Sequence, residues 1–158
     1  NIFEFKKFKV LIDFAHNPAG YRGVEEYLSS VEATKKIGII AGVGDRRDED
    51  IVALGTLASQ MFDEIIIRQD KNLRGRSEQE IIDLMMKGIQ VEEKKKKVTV
   101  MPKESEAIEY ALRNAKKGSF ITICSDVVPD ALGQIMKYKE EEDHFKIHKE
   151  DIPNPVTA

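Results

Sequence analysis

Val10-Leu11-Ile12-Asp13-Phe14-Ala15-His16-Asn17-Pro18-Ala19-Gly20-Tyr21 is the stretch on which the fold turns. An aliphatic run leads into an acid, an imidazole and a carboxamide. Beyond them apolar residues resume at helical spacing in Tyr21, Val24 and Leu28. This pattern describes a buried strand passing into a helix through an Asn-Pro turn. Where helices flank a sheet, ligands bind outside the carboxyl ends of the strands, and these polar residues occupy such an end. Two uses are open for them: capping the helix that follows, or meeting a ligand. A second polar segment of the same kind, Gly42-Val43-Gly44-Asp45-Arg46-Arg47, follows the next apolar run and favours a ligand.

Working outward, short β-branched runs recur at residues 10–14, 37–41, 64–68, 98–101 and 120–124. Amphipathic stretches alternate with them at 21–30, 49–62, 77–89, 105–115 and 128–138. Strands alternating with helices of this length form βαβ units. The expected fold is therefore α/β, a mostly parallel Rossmann-like sheet with helices on both faces. Ser77 with Glu80, and Ser105 before Ala107-Ile108, read as N-caps, while Gly88 and Gly118 stand where helices stop. Residues 3–8 alternate in polarity and predict an antiparallel edge strand or hairpin. The expected domain covers 1–138; the polar tail 139–158 has little to bury and is expected to wrap loosely or fray.

A chain of 158 residues suits one domain, which buries roughly 70% of its unfolded surface. The 25 Lys and Arg against 28 Asp and Glu leave a net charge of -3, without the basic excess of a nucleic-acid module. Lys94-Lys95-Lys96-Lys97 reads as a solvated connection. A single cysteine, Cys124, excludes an internal disulfide and a cysteine zinc cluster, and suits a reducing, cytoplasmic setting. No apolar run approaches the ~20 residues of a membrane helix, and no signal-peptide pattern opens the chain. Neither membrane nor nucleic acid is an expected partner. Asn1 in place of an initiator methionine leads to the expectation of a domain cut from a longer protein.

Three polar loops follow successive strands. The first carries Asp13, His16 and Asn17, the second Asp45, Arg46, Arg47 and Asp48, and the third Asp70, Asn72, Arg74 and Arg76. A fourth, Cys124-Ser125-Asp126, follows the last strand. In a parallel sheet these loops emerge on one edge, where carboxylates, guanidinium groups and an imidazole suit a charged ligand. Plainer uses remain open. Asp13 caps a helix or accepts a ligand hydroxyl, His16 is structural or part of a site, and Asp70 and Asp126 are turn residues or ligand contacts. No Ser-His-Asp spacing, CxxC, HExxH or P-loop is present. Gly42-Val43-Gly44 lacks the third glycine of a dinucleotide fingerprint, Arg47 standing in its place. No metal-ligand set is expected on this chain.

Asp13-Phe14-Ala15-His16-Asn17-Pro18 resembles the D-[YF]-A-H-[NT]-P motif that opens the C-terminal domain of the Mur ligase family. Residues 42–47 resemble that family's second glycine-rich loop, and Asn72-Leu73-Arg74 takes the place of an N-P-R segment, with leucine for proline. The resemblance covers residues 8–138. It implies a three-domain, ATP-dependent amide-bond-forming ligase, in which the ATP γ-phosphate passes to a carboxylate and an amine attacks the acyl phosphate. Within the family, the motifs are most similar to the branch that joins arginine to the side-chain carboxylates of poly-aspartate. A peptidoglycan amino-acid ligase with the same chemistry is one alternative, and a non-catalytic nucleotide- or amino-acid-binding module is another.

The resemblance implies ATP and Mg2+ as cofactors. The metal and the P-loop belong to a central domain of the same chain that these residues do not include, so the fragment alone is expected to be inactive. A homo-oligomer is open. By the same resemblance, Asp13 meets the ATP ribose, and His16 and Asn17 line the nucleotide and acyl-phosphate side of the cleft. Arg46 and Arg47 take the catalytic positions, contacting the incoming amino acid's carboxylate and the acyl phosphate, with Arg47 also a substrate contact. Asn72, Arg74 and Ser125 match substrate-binding positions. If the amino acid is arginine, its guanidinium needs carboxylates, and Asp70 and Asp126 are the candidates.

Overall fold

Among the described residues, six strands form one sheet: Ile2–Glu4 (β1), Phe8–Asp13 (β2), Lys35–Ile40 (β3), Glu64–Ile67 (β4), Lys97–Val100 (β5) and Ser119–Cys124 (β6). Their order is β1-β2-β6-β3-β4-β5, with β1 antiparallel to β2 and every other pair parallel. The computed structural model describes residues 1–91 and 96–150, with side chains through residue 144. Part of the lysine run and the end of the tail, with Pro153 and Pro155, therefore lie outside the described residues. Among the described residues, five helices connect or follow the strands: Pro18–Ser29 (α1), Asp48–Met61 (α2), Glu78–Ile89 (α3), Glu104–Asn114 (α4) and Val128–Glu150 (α5). Among the described residues no helix is long and apolar enough to cross a membrane.

The path of the chain decides which face each helix covers. From β2 the chain steps one way along the sheet through β3 and β4 to β5, then returns to insert β6 between β2 and β3. Right-handed crossovers place the helices of the outward steps on one face and that of the return step on the other. Accordingly α1, α2 and α3 pack in one core with Leu11, Ile65 and Ile67, while α4 and α5 pack in a second with Val10, Ile39 and Ile66. The period-2 alternation of a strand buried on both faces supplies both cores from the same residues. Gly38 in β3 makes room for Phe62, since a methyl there would lie 2.3 Å from the Phe62 ring.

Four local expectations need correction. The edge strand is shorter than 3–8: Ile2–Glu4 pairs with β2, and Phe5 leaves the ladder to stack on Phe8 at 4.9 Å between ring centroids. Ser105 is not a cap, because α4 begins at Glu104 with Lys103 before it, and the Ser105 carbonyl instead accepts from Gln134. Gly88 lies inside α3, where a methyl would lie 2.0 Å from the Val52 carbonyl oxygen of α2. It is a packing glycine at a close helix–helix approach. The tail also differs, since α5 runs unbroken from Val128 to Glu150. Its extension is fastened to the first turn: the Lys6 amide donates to Glu142 at 3.1 Å, and Lys139 lies over the Phe5 ring at 5.4 Å.

Gly88→Ala is expected to destabilise the fold despite alanine's better helix propensity. Overpacking costs about 1–3 kcal/mol and the propensity gain is at most about 1 kcal/mol, so a net loss of about 1–2 kcal/mol should appear in urea denaturation. A variant as stable as the parent would mean that α2 and α3 separate freely.

Candidate functional site

All four polar loops open on the carboxyl edge of the sheet. In the first loop the helix cap is Asn17, whose side-chain oxygen accepts from the Gly20 amide at 2.8 Å, with Pro18 as the first helical residue. Asp13 is thereby released from capping α1. One of its carboxylate oxygens accepts from the Ala15 amide at 2.8 Å, and the other has no partner among the described residues. His16 Nδ1 lies 2.9 Å from the Phe14 carbonyl oxygen, which holds the ring and leaves Nε2 for other contacts. Its ring lies 4.7 Å from that of Phe14, itself 55% exposed. The free oxygen of Asp13 and the exposed Phe14 ring beside His16 suit a ribose hydroxyl and a flat base, so these residues fit a nucleotide.

The second loop ends in Arg47, at the N-cap position of α2. Its guanidinium grips Asp50 through Nε at 3.0 Å and Nη2 at 3.1 Å, which holds the Asp50 carboxyl below its ordinary value. Arg46 is freer, reaching among the described residues only Asp45 at 4.0 Å. Arg76 of the third loop pins this segment: its guanidinium donates to the Gly44 carbonyl at 3.0 Å and the Arg46 carbonyl at 2.9 Å, and pairs with Asp48 at 2.7 Å. Gly44 permits the approach, because a methyl there would lie 2.1 Å from the Leu73 carbonyl oxygen. The second and third loops are thus one unit. Within it, Asn72 accepts from the Arg74 amide at 2.9 Å, and Arg74 and Gly75 turn the chain at φ 53° and 86°. Leu73 packs on the core where the resemblance led to proline. The Asn72 and Arg74 side chains face solvent.

Sequence reasoning missed Arg68, Gln69 and Glu104. Arg68 follows β4 and is 3% exposed, yet three carboxylates surround it: Asp70 at 2.8 Å, Glu104 at 2.9 Å and Asp126 at 3.3 Å. Its Nη2 also donates to the Cys124 carbonyl at 2.8 Å. Burial pushes the Asp70 carboxyl up, with Arg68 pulling the other way, and Glu104 behaves alike. Ser125 is buried and donates to Glu104 at 3.1 Å, while its amide donates to the Asp13 carbonyl at 3.0 Å. The structure therefore brings Asp70, Ser125 and Asp126 together, and ties them through β6 to Asp13. The guanidinium that Asp70 and Asp126 hold here is the chain's own. A charged residue directly after the apolar run Ile65-Ile66-Ile67 was the available signal, since a buried arginine requires acid partners.

An open, mostly parallel sheet with helices on both faces and charged loops along one edge defines a doubly wound α/β domain. Residues 2–127 match the family model described as "Mur ligase, glutamate ligase domain". The chain belongs to the Mur ligase family. It is 43% identical over 138 residues to the cyanophycin synthetase of Geminocystis herdmanii, covering 87% of this chain and 16% of that protein. It is 36% identical over 122 residues to the UDP-N-acetylmuramoyl-L-alanyl-D-glutamate–2,6-diaminopimelate ligase of Caldanaerobacter subterraneus, covering 75% of this chain and 24% of that one. A solved structure of a ligase with that same name superposes with a TM-score of 0.68 at 19% identity, over 78% of this chain and 25% of the other. Escherichia coli FolC in complex with ADP superposes with a TM-score of 0.64 at 13% identity, over 84% and 30% respectively. These two likenesses show the α/β fold.

Proposed function

We propose that this domain is the C-terminal lid of an ATP-dependent amide-bond-forming ligase of the cyanophycin synthetase kind, which joins L-arginine to poly-aspartate through an acyl phosphate. The observation that carries the reading is the junction at β2 and β6. There the Asp13 oxygen that has no partner among the described residues lies one strand away from the Arg68 cluster, and Arg76 locks the second loop to the third on the same sheet edge. In this proposal Asp13 accepts from the ribose, and His16 and Asn17 line the nucleotide side, Asn17 chiefly by holding the turn. Arg46 and Arg47 meet the α-carboxylate of the amino acid and the charge that develops on the transferring phosphoryl group. Asn72, Arg74 and Ser125 flank the amino acid.

The chemistry divides between domains. The acceptor carboxylate takes the γ-phosphoryl and ADP leaves; the amine of arginine then attacks the acyl carbon and inorganic phosphate leaves. The P-loop and the main magnesium ligands are assigned to a central domain of the same chain, making that domain the first partner. By itself the fragment is then inactive. Holding amine and acyl phosphate in one cleft makes the attack effectively unimolecular, and closure of this domain excludes the water that would hydrolyse the intermediate. The setting proposed is cytoplasmic, without nucleic acid or membrane, and a homo-oligomer is compatible with the scheme.

The test is amino-acid-dependent phosphate release by the full-length protein supplied with ATP, Mg2+ and poly-aspartate or a peptidoglycan precursor. Release with poly-aspartate and arginine supports the proposal, and release only with the precursor moves it to the cell-wall ligase. In the active enzyme Arg46→Ala and Arg47→Ala should each raise KM for arginine and lysine alike, by roughly tenfold to a hundredfold, because a charge-assisted hydrogen bond to the shared α-carboxylate is lost. Arg46 should show the larger effect, as Arg47 is already engaged by Asp50. Unchanged constants in both variants would remove the second loop from substrate binding.

A further inference from the structure

We propose that the amino edge of the sheet, opposite the candidate site, is a docking groove for an extended polycarboxylate chain, with Lys6, Lys7, Lys116 and Lys117 as its cations. For the identity of that chain, the acceptor polymer, this rests on the ligase reading above. The first observation is where the lysines fall. Among the described residues, a Lys-Lys pair stands at the start of four of the five parallel strands: Lys6-Lys7 ahead of β2, Lys35-Lys36 opening β3, Lys96-Lys97 at the start of β5 and Lys116-Lys117 ahead of β6. Because these strands are parallel, all four pairs share one edge. The backbone draws two of them together, since the Gly118 amide donates to the Lys7 carbonyl at 2.7 Å and Phe8 is in register with Ser119.

The second observation is that four of these cations are unengaged. Lys35 and Lys97 share Glu64 at 2.6 and 3.3 Å, and Lys36 Nζ donates to the Leu28 carbonyl near the end of α1 at 2.7 Å. Neighbouring acids are matched as well. Asp63 accepts from the Lys36 amide at 2.8 Å, Glu109 holds Arg113, and Glu142 accepts from the Lys6 amide at 3.1 Å and meets Lys139 at 3.7 Å. Among the described residues, the ammonium groups of Lys6, Lys7, Lys116 and Lys117 have no hydrogen-bond or ion-pair partner, and all four residues are exposed. Four like charges held on adjacent turns repel one another, and their summed field attracts an anionic partner.

The third observation is shape. Beside these lysines lies a groove of about 210 Å³, where Lys6, Lys7 and Arg113 face a single acid, Glu142, over an apolar floor that includes Leu112 and Tyr138. A cationic rim over an apolar floor suits a polypeptide with acidic side chains better than a phosphate polymer, whose backbone is itself charged. Side chains on one side of an extended chain recur about every 7 Å, and the flexible stem of lysine follows that spacing. A strand of six residues spans about 20 Å. A chain docked at this edge is thus held within reach of the candidate site without occupying it, which raises the effective concentration of its free end there.

The experiment measures the anisotropy of a long fluorescent poly-L-aspartate added to the full-length protein without ATP or amino acid. The quadruple variant Lys6→Gln, Lys7→Gln, Lys116→Gln, Lys117→Gln should bind it roughly tenfold more weakly at low ionic strength, as expected of four exposed ion pairs. The difference should shrink in salt. All four residues are exposed, so the variant stays folded, which a thermal melt checks. Carbodiimide coupling, which joins a lysine amine to a carboxylate in contact with it, should attach the polymer to these lysines in wild type. In the active ligase the variant should raise KM for the long polymer by roughly tenfold. KM for an aspartate tetramer should not change, since its length of about 14 Å does not reach from edge to edge. Equal binding by variant and wild type, or coupling only at other lysines, would overturn the groove and leave the ligase reading standing. Coupling at these lysines in a protein that releases no phosphate with any amino acid would keep the groove and overturn the ligase reading. Tighter binding of polyphosphate or of an oligonucleotide of equal charge would overturn the assignment to a polycarboxylate.

Discussion

Arg68→Leu is expected to lower the stability of the folded domain by about 3–5 kcal/mol, because it leaves Asp70, Glu104 and Asp126 without the cation they share. For a chain of this size that corresponds to a fall in Tm of roughly 6–20 °C. The deficit should depend on pH in a defined direction. Burial already raises the Asp70 and Glu104 carboxyls above their ordinary 3.8 and 4.5, and Arg68 is the largest influence holding each down. Removing it raises both further. A carboxyl whose folded pKa lies above its unfolded value favours the folded state when protonated. That stability is present in full below the unfolded pKa and is lost as pH rises through the folded one. The Tm gap between variant and wild type should therefore be widest near neutrality and narrow on acidification toward the ordinary carboxylate range. Thermal melts by circular dichroism at a series of pH values decide it. A gap that does not change with pH would show that the loss comes from packing of the arginine stem and not from stranded charge.

On the ligase reading proposed above, Asp13→Ala is expected to raise KM for ATP in the full-length protein by roughly tenfold to a hundredfold, with KM for the amino acid unchanged. A hydrogen bond from a ribose hydroxyl to a charged group contributes about 1.5–3 kcal/mol. The same carboxylate also orders the turn by accepting from the Ala15 amide, so the alanine variant removes two things at once. Asp13→Asn separates them. The carboxamide oxygen still accepts from Ala15, while the charge offered to the ribose is gone. ATP affinity intermediate between wild type and alanine supports the ribose contact. Full ATP affinity in the asparagine variant, together with a thermal defect confined to alanine, would make Asp13 a turn residue. An unchanged ATP constant with a raised amino-acid constant would contradict the assignment outright.

The strands and helices were legible because their signals are local. The run at 120–124 became β6 at Ser119–Cys124, and Ser77 caps α3 through the Glu80 amide as its spacing predicts. Where local signals failed, a distant partner had intervened. Gly88 reads as a stop, but α2 packs so closely on it that only glycine fits inside the helix. The residues after Tyr138 read as polar tail, yet Glu142 and Lys139 find the Lys6 amide and the Phe5 ring, contacts that no window of sequence contains.

By itself, then, the sequence determined the α/β class, the order of elements, the four polar loops and, through its motifs, the family. Each of these rests on period, turn chemistry or a contiguous pattern, and so on residues that are neighbours in the chain. Only the tertiary structure decided how the loop residues are used. Asn17 caps α1 and frees Asp13; Arg76 and Gly44 lock the second loop to the third; Arg68 gathers Asp70, Glu104 and Asp126. The reason is electrostatic and geometric. A charge's role is set by the partners within a few ångströms and by the water excluded around it, and in this sheet those partners arrive from different strand ends.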